Sequence, residues 1–310
     1  MTVPLALAGL DRLLIEPLMT YGFLRSGLVA AVVVGATCAV LSCLLVVRGQ
    51  ALLGDAISHA VLLGVVVGFL VGGEVGILIG AMLVAVLAGS AIAAITRHAP
   101  FHADTSMGIV FTVLFALGLA IISVAQPRGI DLFHILFGNV LGVRTADLWL
   151  TTLSGVLVIG TVLLGLRAFE LWSFDPQLAA AMGMRVGRIE HAFTALLSVA
   201  VVASLQTVGL ILVVAMLIIP GATGALLARR LRTMLAVAVI VGVTSGVVGL
   251  YGSFHLDVAS GPAIVLVAGA LFALVMVAGP RGLVVTALTR PREAAASAPP
   301  VEPATTEVGS

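Results

Sequence analysis

Lysine is absent from all 310 residues, and the fifteen basic residues are arginines without exception. A phosphate-cradling GxxxxGK[ST] loop needs its lysine, so this chain carries no nucleotide site of that type. Schiff-base chemistry is excluded for the same reason. Charge of either sign is scarce: 9% of residues are charged, against about 25% in a soluble domain. A formal net charge of +1 leaves no basic face for a nucleic acid partner. Cysteine is nearly missing. Cys38 and Cys43 share one apolar run and stand roughly 140° apart around a helix axis. That spacing suits neither a mutual disulfide nor a thiolate metal site, so both read as small core residues.

What is present is apolar. Hydrophobic residues make up 61% of the chain and the mean hydropathy is +1.27. A bilayer core needs roughly 20 apolar residues per spanning helix, and many runs here reach that length. Barrel strands would alternate apolar and polar residues, and these runs do not. The sequence therefore predicts an all-α, polytopic membrane helix bundle, multi-pass in the cell (plasma or inner) membrane. The N-terminus does not read as a secretory signal, because Asp11, Arg12, Glu16 and Pro17 interrupt its apolar stretch. Residues 1–25 read as an amphipathic segment on the membrane surface, and 26–280 as the transmembrane domain. Residues 281–310, dominated by Pro, Ala, Thr and Glu, read as a disordered cytoplasmic tail.

Apolar runs predict helices at 27–47, 51–72, 75–95, 107–125, 146–166, 189–205, 209–227, 234–251 and 262–279. The stretch 189–227 is too long for one span. Its interruption at Ser204-Leu205-Gln206-Thr207, with Gly209 just after, predicts two short helices meeting near the outer surface. The count is nine spans, or eight if one piece fails to cross. With the loop after residue 166 inside, eleven arginines face inward (Arg48, Arg97, Arg167, Arg185, Arg188, Arg229, Arg230, Arg232, Arg281, Arg290 and Arg292). Arg12, Arg25, Arg128 and Arg144 face outward. That asymmetry sets the orientation.

Between the spans, the outer stretch 131–139 is apolar but too short to cross, so it is expected to dip in and return. The inner loop 167–188 contains Phe174-Asp175-Pro176-Gln177-Leu178-Ala179-Ala180-Ala181-Met182-Gly183. Asp175 is placed to cap a helix, Pro176 to occupy its first position and Gly183 to end it. A short cytoplasmic helix between two spans follows.

One pair of residues carries chemistry. In Gly54-Asp55-Ala56-Ile57-Ser58-His59-Ala60, a carboxylate and an imidazole stand four apart and share one helix face. A helix starting near Ala51 puts Asp55 about 6 Å and His59 roughly 12 Å from its start. Ionisable groups at such depth face a cavity, a partner or a transported ion. Oxygen plus imidazole nitrogen suits Mn²⁺, Fe²⁺ or Zn²⁺; the plainer reading is an intrahelical hydrogen bond supporting packing. His134 beside Asp131, and His255 beside Asp257, sit on the outer side, where cation collection and simple loop solvation explain them equally well. His98 and His102 near Asp104 read as a polar inner loop, and His191 as a helix anchor. Gly64 and Gly68 read as a packing face.

These residues resemble a known family: the permease subunit of manganese/zinc/iron ABC importers, similar in architecture to the vitamin B12 importer. Arg48-Gly49 followed by Gly54-Asp55-Ala56-Ile57-Ser58-His59-Ala60-Val61 is similar to its RG…GDAISHAV segment, and Asp104-Thr105-Ser106-Met107-Gly108 to its DTxxG start of the fourth helix. Leu136-Phe137-Gly138 resembles its LFG element. Phe174-Asp175-Pro176 with Ala179 and Gly183 resembles the loop that docks on the ATPase. Val208 to Val214, through Ile218-Ile219-Pro220, resembles its VGLLLV…LIIP helix. The resemblance spans roughly residues 20–280. It implies a homodimer, a cytoplasmic ABC ATPase, an extracytoplasmic metal-binding solute-binding protein and no permanently bound cofactor. It also implies that Asp55 and His59 line the path of a divalent metal substrate. Leu63 stands where the family often has Pro, Asn139 where a carboxylate is frequent, and Gly221 and Gly224 where alanine is commoner.

Overall fold

Apolar periodicity is weak along this chain because its helices meet lipid, protein, or both, and length does the work that amphipathicity does in soluble folds. The computed structural model describes residues 16–100, 102–125 and 140–279. Helices run α1 Glu16–Thr20, α2 Gly22–Val47, α3 Leu52–Gly73, α4 Val75–His98, α5 Ala103–Ala125, α6 Thr145–Leu164, α7 Leu166–Phe174, α8 Pro176–Ala181, α9 Val186–Val208, α10 Leu210–Leu227, α11 Leu231–Leu256 and α12 Ser260–Ala278. Among the described residues nine of these are long and apolar enough to cross a membrane, and there is no strand. The protein is a multi-pass integral membrane helix bundle.

Helix α2 forms the centre and packs on α6, α10 and α11. Its neighbours approach through residues without bulk. A methyl group on Gly35 would strike the Gly242 carbonyl of α11 at 2.7 Å, and one on Gly246 would press on Ala31. α3 and α4 fold back on each other where Gly73 takes φ 61°, ψ −141°. Gly64 then abuts Gly80, and Gly68 abuts Gly76, backbone against backbone, with no room for a Cβ at any of the four. Close approach of this kind supplies the van der Waals contact that holds helices together in lipid.

Buried hydroxyls add directed contacts. Thr151 on α6 donates to the Ala203 carbonyl of α9 at 3.1 Å. Ser42 on α2 enters α10 at Pro220, a residue with no N–H to give. The Ser42 hydroxyl donates to the Ile218 carbonyl (3.2 Å) and accepts from the Gly221 N–H (2.9 Å). This approach explains the glycine at 221: a methyl there would collide with the Ser42 backbone.

Several sequence-derived boundaries move. α2 starts at Gly22, so residues 22–25 of the expected surface segment belong to the first span; Arg25 reaches back to the Met19 carbonyl. α5 begins at Ala103, and α11 extends to Leu256. The piece expected as a short helix at 189–205 is a full span of 23 residues, Val186–Val208. The polar break does not stop it, because Thr207 folds its hydroxyl back onto the Ala203 and Ser204 carbonyls of its own helix. The chain turns instead at Gly209, with φ 82°. α7 was not anticipated: it buries Phe169, Trp172 and Ser173 along one side of a short amphipathic helix. The expected surface segment before residue 16, the tail 281–310 and the outer stretch 131–139 lie outside the described residues.

Candidate metal passage site

The turn that starts α3 fixes where the Asp55–His59 pair stands. α2 ends in a Schellman motif: Gly49, at φ 66°, donates to the Val46 carbonyl (3.1 Å), and Gln50 donates to Leu45 (2.9 Å). Only glycine takes that left-handed position without strain. The Leu53 N–H then bonds the Gln50 carbonyl at 2.9 Å and α3 begins. Asp55 falls in its first turn, where the positive end of the helix dipole favours a carboxylate.

His59 lies one turn along. Its Nδ1 is 3.1 Å from the Asp55 carboxylate Oδ1 and 3.0 Å from the Asp55 carbonyl oxygen. Both neighbours are acceptors, so Nδ1 carries the proton in the neutral ring and Nε2 holds the lone pair. A fixed Nδ1–H leaves the lone pair on Nε2, one of the two nitrogens through which an imidazole binds a metal. The side chains of His59 and Asp55 keep 24% and 29% of their surface open, so neither is sealed in dry packing. Across from them, Phe111 and Phe115 of α5 meet the imidazole edge-on, each with its centroid 5.4 Å away. Sequence reasoning missed these two phenylalanines. The available signal was an aromatic pair at helical i, i+4 spacing, with nothing to say which helix it would face.

The remaining titratable candidates do not join this pair. Among the described residues no group of three or more His, Cys, Asp or Glu side chains comes together. His98 turns its Nδ1 to the Ala94 carbonyl of its own helix (2.9 Å). His191 is exposed. His255 packs edge-on against Phe254, and Asp257 caps α11 in the left-handed conformation. Asp131, His134, the segment 136–138 and Asn139 lie outside the described residues. Cys38 and Cys43 are both buried free thiols.

The short helix after α7 is built as its residues predict. The Asp175 Oδ1 accepts from the Leu178 N–H at 2.9 Å, and Pro176 occupies the first helical turn. Gly183, at φ 81°, donates to Ala180, and Met184 donates to Ala179, both at 3.0 Å, closing a second Schellman motif. Ala179 faces the protein, while Phe174, Leu178 and Met182 are exposed at i, i+4, i+8 spacing. These three apolar side chains flank and lie on α8 and are exposed among the described residues.

Comparison with known proteins agrees with this arrangement. The model of the ABC 3 transport family matches residues 20–279. The chain is 45% identical over 279 residues to "Manganese transport system membrane protein MntC" of Halalkalibacterium halodurans, covering 90% of this chain and 95% of the relative. Among solved structures it is similar to "PsaBC from Streptococcus pneumoniae in complex with Fab", with TM-score 0.79 and 37% identity over 88% of this chain and 98% of that one. An inward-facing metal-chelate type ABC transporter shares the fold at TM-score 0.63 and 17% identity, over 81% of this chain and 84% of that one. The chain belongs to the ABC 3 transport family, as a membrane permease.

Proposed function

We propose that this protein is the membrane-spanning subunit of an ATP-driven importer of divalent transition-metal ions, with Mn²⁺ favoured over Zn²⁺ or Fe²⁺. The observation that carries the reading is the Asp55–His59 pair, with Nδ1 committed to Asp55 and Nε2 left to a ligand. The manganese name of the relative supports the choice of metal. In this reading two copies of the chain meet along the faces bearing the pair. The cation, delivered from outside by a metal-binding protein, exchanges part of its water for Asp55 and His59. Two donors per subunit make a site of modest strength, and a passing ion needs a site that releases it.

Energy comes from a separate cytoplasmic ATPase. Phe174, Asp175, Pro176, Ala179 and Gly183 form the element that docks on it, with the exposed stripe of α8 as the contact face. ATP-driven closure of that partner displaces α8, and the spans on either side convert the displacement into alternating access.

The test is metal-resolved accumulation in cells with and without this subunit, at trace metal concentrations. Loss of Mn²⁺ uptake supports the reading. Uptake that requires an organic chelate points to a chelate importer of the same architecture. Uptake that persists with the partner ATPase inactivated points to a proton-coupled transporter using Asp55–His59 as a relay.

A further inference from the structure

Arg48 is part of the Arg-Gly turn before α3, and nothing in the metal path accounts for where its side chain goes. It folds back onto α7 rather than extending away from the bundle. Its guanidinium carbon lies over the Trp172 ring, 4.3 Å from the centroid, and its NH1 donates to the Trp172 carbonyl at 3.2 Å. Trp172 is 1% exposed and wedged between Phe169, 6.4 Å away, and Phe193, 5.3 Å away. Glu190 of α9 completes the cluster and is held by Arg97 of α4 at 2.8 Å. Burial lowers the Arg48 pKa, and the nearby Glu190 charge offsets only part of that.

We propose that Arg48 and Trp172 are positioning residues, the link by which displacement of α7–α8 reaches the start of α3 and reorients Asp55 and His59. The proposal rests on the transport reading above. Its geometric basis is that both ends of the link are stiff. Trp172 lies three residues before the Asp175 cap of α8, at the end of the continuous helix α7. Arg48 lies inside the Schellman turn, where the Gln50 N–H donates to Leu45 of α2 and the Gln50 carbonyl accepts from the Leu53 N–H of α3. A pull on the Arg48 side chain therefore moves the helix end that carries Asp55, seven residues on. Among the described residues the Trp172 Nε1 and the Arg48 Nε are buried without a hydrogen-bond partner, so the ring contact and the NH1 bond to the Trp172 carbonyl carry the link. Beside the indole a narrow cleft of about 40 Å³ is lined by Gln50, Gly89, Met107, Trp172, Glu190 and Thr194.

The experiment uses the full complex with its ATPase and metal-binding protein in lipid vesicles, with Mn²⁺ uptake and ATP hydrolysis read from the same sample. Trp172→Leu removes the aromatic face and Arg48→Gln removes the charge; each is expected to lower metal moved per ATP by about tenfold while hydrolysis continues. Trp172→Phe keeps a face for the cation and is expected to restore most of the ratio. A proportional fall of both activities, or an unchanged ratio in Trp172→Leu, overturns the link. A second readout is independent of metal: spin labels at the exposed positions Arg167 of α7 and Leu52 of α3. ATP binding is expected to leave their separation constant in the otherwise native protein and to change it in Trp172→Leu. Equal behaviour in the two overturns the proposal even if the complex carries no Mn²⁺, and a native complex that moves no Mn²⁺ refutes the transport reading alone.

Discussion

The carboxylate Oδ1 of Asp55 and the carbonyl oxygen of the same residue both face the Nδ1 of His59, at 3.1 and 3.0 Å. One residue thus holds the imidazole twice, through its side chain and its backbone. Of the two contacts, only the backbone one survives removal of the carboxylate. The ring keeps one tautomer, and a cation that binds Nε2 does so without first breaking a hydrogen bond.

The ring is also held from α5. Each edge-on aromatic contact is worth about 1 kcal/mol, so Phe115→Ala is expected to raise the half-saturating metal concentration several-fold while the maximal rate of uptake holds. Phe111→Ala is expected to behave alike, because the two rings stand at the same 5.4 Å from the imidazole. Metal-dependence curves in vesicles check this, and unchanged half-saturation in both variants removes α5 from the site.

The α3–α4 hairpin depends on two facing glycine pairs. Gly68→Val puts a branched side chain where the Gly76 carbonyl already is. Overpacking costs about 1–3 kcal/mol where neighbours can yield, and backbone yields least. Thermal unfolding in detergent is expected to show a marked drop for Gly68→Val. Gly72→Ala, where a Cβ meets nothing within 4 Å, is expected to unfold like the parent.

Ser42 ties α2 to α10 beside Pro220, through the Ile218 carbonyl and the Gly221 N–H. Ser42→Ala removes the hydroxyl to which the buried Gly221 N–H donates, at about 1–3 kcal/mol. Accelerated hydrogen exchange confined to the middle of α10 is the expected sign. Exchange spread evenly over the helix would assign Ser42 no special role there.

On α8, Asp175→Ala removes the side-chain cap, worth about 1 kcal/mol, and Gly183→Val forces a branched residue to φ 81°. Both are expected to loosen a six-residue helix and to lower metal transported per ATP, with Gly183→Val the more severe. Transport and hydrolysis measured together decide, and normal coupling in both variants removes α8 from the transmission path.

Much of this was legible in the residues because membrane helices announce themselves by length and composition. The cap at Asp175, the stop at Gly183 and the shared face of Asp55 and His59 are local geometry, and local geometry reads directly from spacing. Thr207 misled because its hydroxyl is satisfied inside its own helix, which sequence cannot distinguish from a loop residue. α7 was missed because nine residues give too little periodicity to separate a helix from a polar loop. Phe111, Phe115 and Trp172 were invisible for a different reason: their partners lie on other helices, and weakly amphipathic spans do not say which face meets which neighbour. The consequence of Gly221 needed Ser42, 179 positions away in the chain.

The most direct test of the account is uptake of radioactive Mn²⁺ by the assembled complex carrying Asp55→Ala or His59→Ala, with assembly verified by co-purification of the ATPase. Loss of one donor at a two-donor site is expected to cost at least about tenfold in uptake at limiting metal, with the complex intact. Uptake at the parental rate by both assembled variants would contradict the claim that this pair meets the ion.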